Sequence, residues 1–269
     1  MTISAHTLVK NEEKFIWYSV GSVIDHVDKV LLWDTGSTDA TWKILEEIKK
    51  RYPDKVDLKE MGPVDPERFA NLRQKMLEAT DSDWVFILDG DEVWWEDSIK
   101  KVKSEIKENK FDAVVVPFVN AVGDIFHRQS ERAGKYKIDG RKGNITLRLF
   151  RSDIPGLNVV KRYFQEGYAD ETGSLLQESG KVIRKYIDAP FFHLTHIPRS
   201  SKDQGTMGRR GKIKHEFGIS HPLDYYYPEV FFRTRPGIVE SVWEKVSRGF
   251  KARAFFENPA RKIKRSVGL

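Results

Sequence analysis

Along the first hundred residues the spacing of apolar positions switches repeatedly between two periods. Residues 3–9, 30–33, 56–59 and 84–88 are short apolar runs that read as strands, the last of them, Trp84-Val85-Phe86-Ile87-Leu88, apolar throughout. Between them, residues 12–24, 38–51 and 66–79 place apolar side chains three and four apart, with Phe15, Ile16, Val20 and Val23 on one face of the first and Trp42, Leu45 and Ile48 on one face of the second, which predicts helices. Ser37 or Thr38 is placed to cap the second helix. The β-α-β-α-β-α-β order predicts a mostly parallel sheet covered by helices.

Further on, residues 98–108 read as a helix, and residues 113–119 and 146–150 as strands. Residues 123–143 are polar and rich in Lys and Arg, and read as a mobile loop. Residues 191–197 are apolar and carry His193 and His196, and residues 239–256 interleave Val242, Trp243, Val246 and Phe250 with Arg in the manner of an amphipathic helix. A boundary near residue 200 divides the chain into residues 1–200 and a basic, aromatic extension, 201–269.

Composition narrows the chemistry. With 39% hydrophobic residues, seven Trp and sixteen Phe in 269 residues, the chain has the material for a core. It contains no Cys, which excludes disulfides, thiolate metal sites and a cysteine nucleophile, so any metal must take oxygen or imidazole ligands. The start has no charged-then-apolar leader pattern and no run approaches the length of a membrane span, so a cytoplasmic location is expected, the inner face of the membrane included. The net charge of +6 gathers toward the C-terminus, at Lys202, Arg209, Arg210, Lys212, Lys214, Arg261, Lys262, Lys264 and Arg265. Such a face is ordinarily a solvated one; no motif beyond charge speaks for nucleic acid, so none is expected as a partner.

In open α/β sheets ligands bind beyond the carboxyl ends of the strands, and three polar clusters follow the apolar runs: residues 10–13, 34–39 and 89–92. Asp89-Gly90-Asp91 sets two carboxylates two residues apart on a chain leaving a buried strand, with a glycine to let it turn tightly. Hard cations such as Mg²⁺ and Mn²⁺ take such oxygens while keeping substrate phosphates in their shell. Helix capping is the plainer use of the same acids. In Asp34-Thr35-Gly36-Ser37-Thr38-Asp39, a turn leading into a helix N-terminus suits a nucleotide, with Asp34 free to accept hydrogen bonds from a base or ribose.

Thr7-Leu8-Val9-Lys10-Asn11-Glu12-Glu13, Asp34-Thr35-Gly36-Ser37-Thr38-Asp39-Ala40-Thr41 and Phe86-Ile87-Leu88-Asp89-Gly90-Asp91-Glu92 together resemble family 2 glycosyltransferases, over roughly residues 1–120. The resemblance implies the GT-A (Rossmann-like) fold, a mixed, mostly parallel sheet flanked by helices, here with a small helical C-terminal extension. It implies an enzyme that transfers a sugar from a UDP- or GDP-linked donor, with inversion, to a glycan, lipid-linked or protein acceptor. By that resemblance Thr7, Leu8, Val9, Glu12, Asp34, Asp39 and Gly90 flank the donor nucleotide, joined by Arg68, Asn71 and Arg73 of the preceding helix, where the family's adjacent Arg-Asn pair is interrupted by Leu72. Asp89 and Asp91 hold Mn²⁺ or Mg²⁺, and a later histidine, His193 ahead of His196, completes the shell. The catalytic base falls in Gln165-Glu166-Gly167-Tyr168-Ala169-Asp170-Glu171, with Glu166 ahead of Asp170.

Several residues carry two readings. Trp94 and Trp95 either stack on a sugar or pack in the core. Arg148 and Arg151 either hold an anion or sit on a strand surface, and the C-terminal amphipathic segment either touches a membrane surface peripherally or packs on the sheet. Two rivals share the fold. A nucleotide-sugar-forming nucleotidyltransferase would carry a Gly-rich loop after the first strand, where this chain has Lys10-Asn11-Glu12-Glu13; a non-catalytic glycan- or nucleotide-binding module would not need the acidic pair.

Overall fold

The structure, a computed structural model, describes residues 1–108, 110–160, 167–206, 209 and 211–266. Its elements are β1 (Ile3–Val9), α1 (Ile16–Val23), β2 (Lys29–Asp34), α2 (Thr41–Arg51), β3 (Val56–Glu60), α3 (Pro66–Glu78), β4 (Trp84–Ile87), β5 (Glu92–Trp94), α4 (Glu96–Ile106), β6 (Ala113–Val122), β7 (Asp124–Arg128), β8 (Tyr136–Ile138), β9 (Arg141–Gly143), β10 (Ile145–Arg151), β11 (Asn158–Val160), β12 (Gly167–Ala169), β13 (Arg184–Tyr186), β14 (Phe191–His196), β15 (Ile219–Ser220) and α5 (Arg248–Ser266).

The first four long strands lie side by side in the order β3-β2-β1-β4, all parallel, because each is followed by a crossover helix. Then β10 enters antiparallel between β4 and β6. Since two antiparallel steps restore direction, β6 runs with β4. The long β6 pairs with β13 through its first half and with β14 through its second, both parallel. The main core fills the space between this sheet and the helices, and Trp94 stands near its centre, edge-on to Phe86 at 5.0 Å and stacked on Phe191 at 5.2 Å. Trp95 is likewise buried, so both tryptophans pack rather than face a sugar.

Three expectations are corrected. Residues 123–143 are no loop: β7 extends the sheet beyond β6, and β8 and β9 form a hairpin around Asp139 and Gly140, whose φ values of 48° and 77° belong to the mirror-image turn that suits an Asp-Gly pair. Exposed edge strands are polar, which hid them from a search for apolar runs. The C-terminal helix begins only at Arg248; before it, Val239 and Val242 join the main core from an irregular segment together with Val230 and Phe231. Nor do Ser37 and Thr38 cap α2. Thr41 N–H donates to Asp39 Oδ1 at 2.8 Å, and Ala40 N–H donates to Glu13 Oε2 at 2.9 Å, from the turn after β1. Among the described residues no helix is long and apolar enough to cross a membrane.

Candidate active site

Strand register brings the three polar turns together, for Val9 lies beside Asp34 and His6 beside Ile87 at the carboxyl edge of the sheet. The turn after β1 is held by Asn11, which takes a left-handed φ of 53°, a conformation Asn tolerates better than most residues. Its N–H donates to Ser37 Oγ at 2.9 Å and its Oδ1 accepts from Thr38 N–H at 2.8 Å, so Asn11 ties the first turn to the second. Asp34 is not free, as its sequence position suggested. Its Oδ2 accepts from the N–H groups of Gly36 and Ser37, each at 2.9 Å, and its Oδ1 from Ser37 Oγ at 2.5 Å, so the carboxylate shapes its own turn. Thr7 Oγ1 is buried without a partner among the described residues, and Leu8 packs beside Leu31, Trp33 and Met76.

The third turn carries the acids. Asp91 is buried, whereas the Asp89 side chain is 41% exposed and turned toward Arg148, at 3.3 Å, and Arg73, at 3.9 Å. Arg148 also contacts Glu92, so it links the loop acid to a buried one. Gly90 is glycine for want of space and not for a tight turn: it has no positive φ, but a Cβ there would approach Glu12 Cγ to 2.8 Å. Glu12 thus lies directly against the acidic turn.

Around Asp91 the register of β5 on β14 decides which histidine takes part. Glu92 pairs with His193, and the N–H of Leu194 donates to Asp91 O at 2.8 Å, which leaves His193 Nε2 3.7 Å from Asp91 Oδ2. His196 lies beyond that register, past an irregularity in the pairing of β14 with β6, and its ring instead donates to Lys212 O at 2.8 Å and accepts from Lys214 Nζ at 2.9 Å. Burial lowers the His193 imidazole to about 4 against the pull of Asp91, so it is neutral at pH 7, the state a metal ligand needs. Burial would raise the Asp91 carboxyl, but Arg199 beside it, with His193 and Lys212, overrides this and holds it at about 2. Glu12 goes the other way: burial pushes it up to about 8, opposed by Arg199 and Arg209. Asp91 and His193 offer the oxygen and imidazole donors that suit Mg²⁺ or Mn²⁺, and a cation of that kind fills its remaining positions from phosphate and water. Among the described residues no three acids or histidines already surround one point, since Asp89 faces the arginines.

Residues 4–163 match the profile described as glycosyl transferase family 2. The chain belongs to that family. Its GT-A sheet is the one described above. SPbeta prophage-derived glycosyltransferase SunS of Bacillus subtilis (strain 168) is 30% identical over 190 residues, 68% of this chain, and glycosyltransferase SunS of Bacillus phage SPbeta matches to the same extent. This chain spans 43% of the length of those relatives. S. aureus TarS 1–349 in complex with UDP-GlcNAc superposes with a TM-score of 0.49 at 17% identity, over 77% of this chain and 61% of that one.

Within this family 2 chain, the other residues named from sequence are dispersed. Arg73 of α3 reaches the site, but Arg68 is exposed and donates to Pro63 O at 3.2 Å, while Asn71 is half-buried on the same helix. Asp39 accepts from Ser200 Oγ as well as from Thr41. Arg151 pairs with Asp153. Asp170 is corrected: Thr172 and Ser174 N–H groups and the Thr172 and Ser179 hydroxyls all donate to its carboxylate, and these bonds hold it at about 2, which makes it a loop anchor and a poor base. Glu166 lies outside the described residues.

Sequence reasoning missed two arginines. Arg209 belongs to the basic stretch read as solvated surface and Arg199 lies just before it, yet both are buried. Arg199 contacts Asp91 and Glu12, and Arg209 donates to Glu12 Oε1 at 2.6 Å and to the carbonyl of Asn11 at 3.1 Å. No local pattern marks their place at the site, because the acids they meet there, Asp91 and Glu12, lie more than a hundred residues earlier in the chain.

Proposed function

We propose that this chain is a glycosyltransferase that moves a sugar, with inversion, from a nucleoside-diphosphate sugar to an acceptor hydroxyl. The observation that carries the reading is the placement of Asp91 and a neutral His193 beside the nucleotide-facing turns of β1 and β2, at the carboxyl edge of a family 2 sheet. The Asn11 and Asp34 turns form the floor on which the nucleoside lies, and the orphaned Thr7 hydroxyl offers it a hydrogen bond. UDP is the first candidate nucleotide and GDP the second.

Asp91 and His193, with Asp89 at the solvent side, hold the divalent ion, which when bound supplies positive charge to the departing diphosphate. Arg148 and Arg73 flank Asp89 and keep that carboxylate turned toward the open side of the sheet. Glu166 is the base: it takes the proton from the acceptor hydroxyl as that oxygen bonds to the anomeric carbon and the bond to the diphosphate oxygen breaks on the opposite face. The flanks of its segment, Val160 and Gly167, are register partners in β11 and β12, and Tyr168 of that hairpin sets its OH 3.3 Å from His6 Nδ1 on β1, so the hairpin is anchored to the donor strand. The acceptor is a glycan, a lipid-linked carrier or a protein. A peripheral membrane contact is assigned to α5, where exposed Phe255 and Phe256 adjoin Lys251 and Arg253.

The test is calorimetric titration of UDP, GDP and their sugar conjugates, with and without Mn²⁺, into wild type and Asp91→Asn. Metal-dependent binding of one nucleotide, lost in the variant, is the expected result. No nucleotide binding under any metal condition overturns the reading and leaves a binding module of the same fold.

A further inference from the structure

Arg199 sits where a cation would. One guanidinium nitrogen, Nη1, touches Asp91 Oδ2 and lies 3.0 Å from Glu12 Oε1, and Asp91 Oδ2 is the same oxygen that faces His193. The backbone beneath this side chain is pinned from both sides: Lys14 N–H donates to Arg199 O at 3.1 Å, and Arg199 N–H donates to Asp203 Oδ2 at 2.8 Å. The main chain therefore cannot retreat, but the long side chain can turn. Beside it is a place to turn to, for Glu12 Oε2 is buried and has no hydrogen-bond partner among the described residues. A buried acid oxygen left without a partner is costly, and a guanidinium turned onto Glu12 favours its ionised form and offers that carboxylate several donors in a planar fork.

We propose that Arg199 is a resident counter-cation that exchanges with the divalent ion: without metal it neutralises Asp91, and when metal arrives it gives up Asp91 Oδ2 and donates with its full fork to Glu12. The inference rests on the metal site of the proposed function, but concerns what the chain does before the ion binds. Two consequences distinguish it from a purely structural role. Arg199 competes with the ion, so it weakens metal binding. It also holds the acidic pocket together in the metal-free protein, so losing it costs stability that metal restores.

The experiment uses the full chain as wild type, Arg199→Gln and Arg199→Lys, titrated with Mn²⁺ alone by calorimetry and melted in EDTA and in Mn²⁺. The Gln variant should bind Mn²⁺ about tenfold or more tightly than wild type, the scale of one lost charge-assisted hydrogen bond, with the Lys variant between them. It should also melt below wild type in EDTA and gain more from Mn²⁺. Equal or weaker Mn²⁺ binding by a folded Arg199→Gln overturns the exchange while leaving the metal site standing. If the Gln variant does not fold, Arg199→Lys decides by the same comparison, since its single ammonium cannot span both carboxylates. Mn²⁺ binding by none of the three proteins overturns the metal assignment and the exchange together, whereas nucleotide binding then tests the donor site separately.

Discussion

Gly90 and Glu12 compete for one volume: the methyl that any larger residue would bring to position 90 falls 2.8 Å from Glu12 Cγ, well inside contact distance. Glu12 is held by Arg199 and Arg209 and has little room to retreat. Gly90→Ala is therefore expected to destabilise the protein by roughly 1–3 kcal/mol, the usual cost of overpacking. Because the displaced group contacts Arg199, nucleotide affinity should fall as well. Chemical denaturation together with nucleotide titration checks both, and unchanged stability would show that Glu12 relaxes freely.

Arg148 keeps a buried acid company, and its removal should show it. Arg148→Met leaves Glu92 buried without its partner, a loss expected to cost about 3–5 kcal/mol. Glu92→Gln combined with Arg148→Met should recover a large part of that cost. A double-mutant cycle by urea denaturation measures the coupling, and additive losses would refute it.

Asp170 and Glu166 make opposite predictions. Glu166→Gln should lower kcat by about a hundredfold or more, as expected for a missing general base. Asp170→Asn should leave kcat within a few-fold and instead lower the melting temperature, because four donors lose an ionised acceptor. Steady-state rates and thermal melts of the two variants separate a base from an anchor; a collapse of kcat in Asp170→Asn with an unchanged melt would reverse the assignment.

His6 supplies a pH test away from the acids. Burial, with Arg73 nearby, lowers its imidazole to about 3, and the neutral ring bridges Thr80 Oγ1 at 2.6 Å and Tyr168 OH at 3.3 Å. A histidine whose folded pKa lies below its unfolded value of 6.5 contributes stability that is whole above pH 6.5 and is lost as pH falls toward 3. His6→Asn should then cost clearly more stability at pH 7 than at pH 4.5, because only the wild type suffers from the unfolded chain's gain of a proton. Denaturation curves at the two pH values give the comparison, and an equal cost at both would mean that His6 titrates normally.

The parallel half of the sheet was legible because its strands are short segments carrying apolar residues between amphipathic helices, a pattern that needs no distant partner. The acidic turn was legible for the same reason, since Trp84 to Leu88 lead straight into Asp89. Of the two histidines it is His193 whose ring faces Asp91, and the reason, the pairing of β5 with β14, is a tertiary fact. The hairpin at Asp139-Gly140 was written in the sequence as a turn signal and was masked by the polarity of its strands. Arg199 and Arg209 were not legible at all: a lysine-rich surface and a buried ion-pair network look alike until the chain closes on itself.

The pairing of Glu92 with His193 rests on a strand three residues long, and in such a strand a slip of one position would carry every side chain to the other face. What prevents the slip is the apolar ladder beside it, where Trp94 meets Phe191 and Val93 meets Phe192. The span that carries the family profile ends at residue 163, before β14, Arg199 and Arg209. A fragment cut to that profile would keep both aspartates yet lose His193 and Arg199 beside Asp91 and Arg209 beside Glu12, so the part by which the chain is recognised is smaller than the part that could work.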